Sequence, residues 1–365
     1  MTRLFTMGWE TGDVNEGAGN GGYQAMSGGT GASVTATDPA PRAGGGAYCL
    51  RLASSSSYLI GYKTFILPSA LTDVWTRFAW YGDPTNNLQA SGEWSIAGMS
   101  DATGAAQCSL SYDRTNGFLR LWSGFLTTQL AVTSATFARG SWHVIDWRTQ
   151  ITSGTVGVSE VWVNGIQVIN FSGDNTASGT QANVQRLHFG SLANIPVPGV
   201  NAHFGYDDIA INDTSGTINN GRPGPGVVVL LKPSGAGSST QLARGGTDTG
   251  ANWSQCSEIP PSAAQYVGSA TVGQRDLYAL TDVPGGVSVG SINVVEAIAL
   301  AHLSDAGSGS MGLTVKSGAT INEASAQALA VSPDYYRARW EVDPNTGAAW
   351  TLAAVNAAEA GATVR

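Results

Sequence analysis

The chain has 365 residues, 12% charged and 42% hydrophobic, with a formal net charge of −8. Single cores tend to split beyond ~250 residues, so this length predicts two domains. The acidic balance, with no run of clustered Lys and Arg, excludes a nucleic-acid-binding surface, which must neutralise phosphates.

The charged share is about half the usual ~25%, so Ser, Thr, Asn, Gln and Gly must cover the surface. Glycine, at 48 residues, favours many turns and few helices. The three cysteines, Cys49, Cys108 and Cys256, are odd in number and show no Cys-x-x-Cys spacing. They read as free, buried thiols rather than a disulfide framework or a zinc site. No stretch approaches ~18 apolar residues, and the opening MTRLFTMGWETGD lacks the apolar segment of a secretory leader. The expectation is a protein made in the cytoplasm, without membrane insertion.

In chain order, LFTMGWE alternates Phe5, Met7 and Trp9 against Leu4, Thr6, Gly8 and Glu10, which predicts a half-buried strand. GNGGYQAMSGGTGAS reads as loop. AYCLRLA, SYLIGYKTFIL, VWTRFAWYG, GEWSIAGMS, AAQCSLSYD, GFLRLWSG and TTQLAVT follow as short strands at regular spacing, the pattern of an all-β sandwich. SWHVIDWRTQI leads into SEVWVNGIQV, where Asn164-Gly165 predicts a type I′ hairpin. That turn sets Val163 against Ile166 and Val161 against Val168 on an aliphatic core face, with Glu160, Trp162, Gln167, Ile169 and Phe171 opposite. VQRLHFGSL and AHFGYDDIAIND supply two more strands.

Residues 216–226 are rich in Gly, Pro and Asn and read as a linker between a domain at 1–215 and a smaller β-rich domain at 227–365. In the second domain VVVLLKP, DLYALTDV, INVVEAIALAHLS, MGLTVKSG, SAQALAV and YYRARWEVD predict strands. DPNTGAAWTLAAVNAAEAG predicts a turn and then a helix over 351–360. Thr351 is its N-cap, Trp350 and Val355 form a hydrophobic staple, and Gly361 follows its end.

Candidate chemistry is sparse. Glycoside hydrolysis needs two carboxyl groups held ~5–9.5 Å apart, and the sequence offers no Glu-x-Asp-x-Glu run and no Asp-x-Glu pair inside a strand. Asp207 and Asp208 are adjacent and point to opposite faces of a strand. They read either as a pair bonded to nearby backbone or as calcium ligands. Glu10, Asp13 and Glu16 lie in a loop that matches no EF-hand and reads as a solvated acidic turn. There is no Gly-x-Ser-x-Gly elbow, and the glycine-rich runs lack a Walker lysine. His143 reads as a satisfied structural histidine. Trp75, Trp80, Trp94, Trp122, Trp142 and Trp147 alternate with apolar neighbours and read as core. Trp162 sits on the mixed hairpin face. With Asn164 beside it, it is the candidate ligand contact, by stacking on a sugar ring, unless it packs inside or at an interface. Trp350, Leu352 and Val355 are candidate partner contacts on the terminal helix.

The ordered set SWHVIDWRTQ, VSEVWVNGIQV and HFGYDDIAIND resembles the laminin-G or concanavalin-A-like jelly roll over about residues 1–215. VVVLLKPSGAG, ANWSQCSEIPPSAAQYVGSATVGQRDLYALTDVP and DPNTGAAWTLAAVNAAEAG are similar to the C-terminal part of structural proteins of tailed bacteriophages. That resemblance implies a non-enzymatic virion protein, a minor tail or head-decoration component. It would be assembled in the host cytoplasm as a homo-oligomer among other virion proteins. A carbohydrate-binding module for a host cell-surface glycan is the alternative, and a glycan depolymerase a further one. No cofactor is implied, with Ca²⁺ at Asp207 and Asp208 the one candidate ion.

Overall fold

The computed structural model describes residues 3–16, 23–27, 31–53, 61–84, 92–152, 156–177, 182–192, 203–247 and 249–365. The chain divides into two compact units. One comprises Met1–Glu10 and Gly21–Val228, the other Thr11–Asn20 and Val229–Arg365.

The strands of the first unit are β1 (Arg3–Met7), β2 (Tyr23–Ser27), β3 (Ala32–Thr35), β4 (Cys49–Ala53), β5 (Tyr62–Leu71), β6 (Asp73–Gly82), β7 (Glu93–Ser100) and β8 (Ala106–Asp113). They continue with β9 (Leu119–Ser123), β10 (Thr128–Val132), β11 (Trp142–Gln150), β12 (Gly157–Val163), β13 (Ile166–Gly173), β14 (Val184–Gly190) and β15 (His203–Asp213). An eight-stranded sheet runs β13-β12-β11-β6-β15-β4-β3, with β1 also on β15. A seven-stranded sheet runs β10-β9-β8-β7-β14-β5-β2. Two antiparallel sheets packed face to face make the all-β sandwich that the alternating pattern predicts, in the jelly-roll form that the resemblance implies.

Aromatic rings from both sheets fill the interior. Phe78 of one sheet meets Phe189 of the other at 5.1 Å, and Phe204 meets Trp94 at 5.2 Å, both edge-on. Trp80, Trp94 and Trp147 are fully buried, as the alternation requires. Trp122 and Trp142 depart from it. Each is half-buried and points away from the interior, with its indole N–H donated to Ser111 Oγ and to the Ala40 carbonyl respectively. The stretch read as loop after β1 contains β2 and the start of β3.

The Asn-Gly turn forms as expected, with φ of 51° at Asn164 and 86° at Gly165. Val163 pairs with Ile166, but a bulge then pairs Val161 with Ile169 rather than Val168. One extra residue shifts the faces, so Ile169 is buried while Ile166 is 70% exposed.

The segment read as linker is held on the first unit's eight-stranded sheet. Asn212 Nδ2 donates to the Gly221 carbonyl at 2.8 Å, Gly224 N donates to Asp146 Oδ1 at 3.1 Å, and Arg42 donates to the Gly226 carbonyl. Such a segment buries little apolar surface, but its backbone groups are paired with side chains of β11, β15 and the β3–β4 connection, which fixes it by another route.

The second unit contains β16 (Pro233–Thr240), β17 (Ala243–Gly246), α1 (Asn252–Gln255), β18 (Gln265–Gly268), β19 (Arg275–Leu280), β20 (Val295–Ala301), β21 (Ser310–Ser317), β22 (Thr320–Glu323), β23 (Gln327–Ala328), β24 (Asp334–Trp340), α2 (Leu352–Asn356) and β25 (Glu359–Val364). Its main sheet runs β16-β19-β25-β21-β22, with β23 on β21. Two expectations are corrected here. The apolar run VVVLL precedes the sheet without forming a strand, and the polar PSGAGSST forms β16 instead. The terminal helix ends at Asn356, and residues 359–364 form a central strand. Gly361 is therefore not a helix stop. A side chain there would strike the Asp276 carbonyl of the neighbouring strand. The N-cap holds, with Thr351 Oγ1 accepting from Ala354 N at 3.1 Å.

Candidate functional site

The residues that stand out chemically lie on the outer face of the seven-stranded sheet. On β14, Leu187 and Phe189 point into the sandwich, so alternation turns Arg186 and His188 outward. On β5, Phe65 and Leu67 point inward, which turns Tyr62 and Thr64 outward. The register sets His188 opposite Thr64 on one side and Gly98 of β7 on the other.

His188 is held at both ring nitrogens. Nδ1 lies 2.8 Å from Thr64 Oγ1, and Nε2 lies 2.7 Å from Ser100 Oγ. Tyr62 meets the imidazole edge-on at 5.3 Å and Phe125 does so at 5.6 Å. Burial, aided by the Arg186 charge, pushes the His188 pKa down to about 4. The ring is therefore neutral at neutral pH and keeps one nitrogen as a proton acceptor. Tyr62, Phe125 and Arg186 are half-buried on the face that holds the buried imidazole, and the Arg186 guanidinium lies against Gly104 of the turn after β7.

Phe125 reaches this place from the turn between β9 and β10. Ser109 Oγ donates to the Gly124 carbonyl at 2.8 Å and accepts from Leu126 N at 3.2 Å. Gly124 and Leu126 take left-handed backbone conformations, with φ of 69° and 59°. Gly98 is the floor beneath. A Cβ there would meet Leu192 Cδ1 and stand 2.9 Å from Phe125 Cε1.

Further across the face, Arg120 bridges Glu93 at 3.1 Å and Asp113 at 2.6 Å. Ser111 Oγ donates to Glu93 Oε2 at 2.6 Å and accepts from the Trp122 indole. Burial raises the Glu93 pKa. This is no hydrolytic pair. Asp113 accepts from Thr115 N, Asn116 N, Asn116 Nδ2 and Arg120, so its carboxylate caps a turn.

The residues singled out from the sequence lie elsewhere. The Trp162 ring is half-buried against Trp75 at 5.2 Å, with the Arg222 guanidinium 5.2 Å from its centroid. Asn164 spends its side-chain oxygen on Val144 N at 2.9 Å. Asp208 Oδ2 accepts from Arg42 Nε at 2.7 Å and Oδ1 accepts from Val228 N at 2.5 Å. Asp207 Oδ1 accepts from Asp208 N at 2.7 Å. Burial, then Asp208 and Glu10, hold the Asp207 carboxyl well above the usual carboxylate range. Among the described residues no group of three His, Cys, Asp or Glu side chains could hold a metal ion. The pair does not fit Ca²⁺, because the Arg42 guanidinium already supplies the counter-charge to Asp208.

In the second unit, Trp350 and Val355 are buried in its own core and Trp350 Nε1 donates to the Trp340 carbonyl at 2.9 Å. Neither is a surface partner contact, and only Leu352, 42% exposed, remains on the surface. The expected solvated acidic turn is also corrected. Glu16 is buried and accepts from Thr11 N and Oγ1, while Tyr335 donates to Asp13 at 2.7 Å. His143 is structural, with Nε2 2.8 Å from the Ala138 carbonyl. Cys49 and Cys108 are buried thiols as expected, and Cys256 is exposed.

Sequence reading missed Tyr62, Arg186, His188 and Phe125. The signal lay in VQRLHFG, where apolar Leu187 and Phe189 force Arg186 and His188 onto one outer face.

No family model matches the chain, and no curated protein matches it. Solved structures do. An endo-β-1,4-glucuronan lyase from the fungus Trichoderma reesei is 14% identical, covering 58% of this chain and 95% of that one, with a TM-score of 0.44. The cellulose-induced protein Cip1 is 14% identical, covering 61% and 100%, with a TM-score of 0.43. The alginate lyase Aly36B is 13% identical, covering 47% and 86%, with a TM-score of 0.36. At this identity the likeness speaks to fold alone. The expectation of a non-enzymatic virion structural protein is corrected to the extent that none of these matches is one. That expectation rested on resemblance, and the matches found are polysaccharide lyases and a cellulose-induced protein instead.

Proposed function

We propose that the protein binds an acidic polysaccharide over β5 and β14 of the seven-stranded sheet and cleaves it by β-elimination. One observation carries this reading: Tyr62, Arg186 and a neutral His188 share one outer face. The Arg186 guanidinium pairs with the uronate carboxylate through charge-assisted hydrogen bonds, which stabilises the negative charge that builds as the adjacent C–H is broken. His188 takes that proton through the hydroxyl that donates to its unprotonated nitrogen, Thr64 or Ser100, which hands its own proton to the ring as it accepts the new one. The glycosidic C–O bond on the next carbon breaks, a carbon–carbon double bond forms, and the Tyr62 hydroxyl protonates the leaving oxygen. No water enters the products. Hydrolysis is disfavoured because the acidic pair of this face, Glu93 and Asp113, is bound up with Arg120.

The test is incubation with glucuronan, alginate and a neutral glucan, following the ultraviolet absorbance of the conjugated alkene that only elimination creates. Absorbance should rise with an acidic substrate and be lost in His188→Ala and Tyr62→Phe. New reducing ends without that absorbance would mean hydrolysis, and no cleavage of any acidic glycan would overturn the reading.

A further inference from the structure

The surroundings of His188 are unequal on its two sides. Across the outer face the register aligns Thr64, His188, Gly98, Ser109 and Trp122 in one row. Gly98 and Ser109 are small, and by size alone they would be a floor on which a sugar chain could continue past His188. They do not serve as one. Phe125 and Leu192 stand over Gly98, and the backbone of the Gly124–Leu126 turn is tied down on Ser109. The left-handed Leu126 persists there because Ser109 and the strand beneath fix the turn. On the other side of His188 stand Thr64 and the half-buried Tyr62 ring.

We propose that Phe125 and Leu192 form an end wall, so that the site takes the terminus of an acidic polysaccharide and releases short products. This rests on the elimination reading above. A chain approaching over β5 reaches Tyr62 and His188 and then meets the Phe125 ring, so the sugar undergoing elimination lies at or near the chain end. Phe125 is a specificity-determining residue here. It sets how many sugars fit beyond the broken bond.

The test separates the two layers. Wild-type products from an acidic polysaccharide are resolved by size from the earliest time points while solution viscosity is followed. Short saccharides should dominate from the start, with viscosity falling slowly for each bond cut. Phe125→Ala, and independently Leu192→Ala, should shift early products to longer oligosaccharides and steepen the viscosity loss several-fold per bond. Phe125→Tyr, which keeps the wall, should retain the wild-type pattern and controls for folding. A broad ladder of products with steep viscosity loss in the wild type would overturn the end wall while leaving elimination intact. Absence of the alkene absorbance on every acidic glycan would instead overturn the elimination reading, and the end wall with it.

Discussion

Gly98 pairs with His188 across β7 and β14, and the missing side chain at Gly98 is what admits the Phe125 ring beside the imidazole. Gly98→Ala should therefore push Phe125 and Leu192 off the sheet. Inserting a methyl group into a filled position costs roughly 1–3 kcal/mol. Denaturant unfolding should show a loss in that range, and the product distribution should lengthen as it does for Phe125→Ala. A stability equal to wild type would show that the wall yields freely.

The buried imidazole gives the fold a definite pH response. His188 titrates at about 4 when folded, below its ordinary value of 6.5. Between those values the unfolded chain binds more protons, so stability rises with pH through that window. Its contribution is complete above pH 6.5 and is lost as pH falls toward 4. At ~1.36 kcal/mol per unit, the full effect is about 3 kcal/mol. Subtracting the pH–stability profile of His188→Gln from that of wild type should isolate this slope from buried carboxyls that titrate nearby. Parallel profiles would mean that His188 is not buried as a neutral ring.

The sandwich was readable because alternation is a local property. Strands such as β6, β9 and β14 announce their inward faces through Phe78 and Trp80, Leu119 and Leu121, and Leu187 and Phe189 at every second place. The site was not readable, because Tyr62, Ser100, Phe125 and His188 come from three strands and a turn that only the register unites. Trp122 shows the same limit from the other side. It alternates like a core residue, yet its strand turns it outward. The acidic turn at Glu10–Glu16 failed for a related reason. Two of its partners, Tyr335 for Asp13 and Arg337 for Glu16, lie more than three hundred residues away in sequence. The helix expected over 351–360 was cut short because residues 359–364 fill a gap in a sheet, and that pairing outweighs the helix propensity of alanine.

Arg337 of the second unit lies between Glu296 at 2.9 Å and Glu16 at 3.4 Å, and all three are buried or nearly so. Burial pushes the Glu16 carboxyl up against the pull of Arg337. Taking one partner from such a group leaves charge uncompensated and costs roughly 3–5 kcal/mol, whereas replacing the whole group with apolar residues is often neutral. Glu16→Ala should fall near the lower bound, since Glu296 remains. The triple variant Glu16→Leu, Arg337→Met, Glu296→Leu should recover much of that loss. Denaturant unfolding of the full chain reads both. A loss below about 1 kcal/mol for Glu16→Ala would mean the segment from Thr11 to Glu16 is not anchored by this group.

Trp162 and Trp122 invite the same substitution with different consequences. Trp162 is engaged by Trp75 and Arg222, so Trp162→Ala removes an aromatic pair worth about 0.5–1.5 kcal/mol beyond its buried area. Trp122 lies three strands from His188, about 14 Å at the usual strand spacing, with the Phe125 turn between them. A chain that ends at Phe125 touches neither ring. Both alanine variants should therefore keep the wild-type KM on an acidic polysaccharide, while Arg186→Ala raises KM by weakening the hold on the uronate carboxylate. Thermal unfolding should register the Trp162 loss and steady-state kinetics the Arg186 loss. A raised KM for Trp122→Ala would show that the polysaccharide runs past the Phe125 turn and across the full width of the sheet.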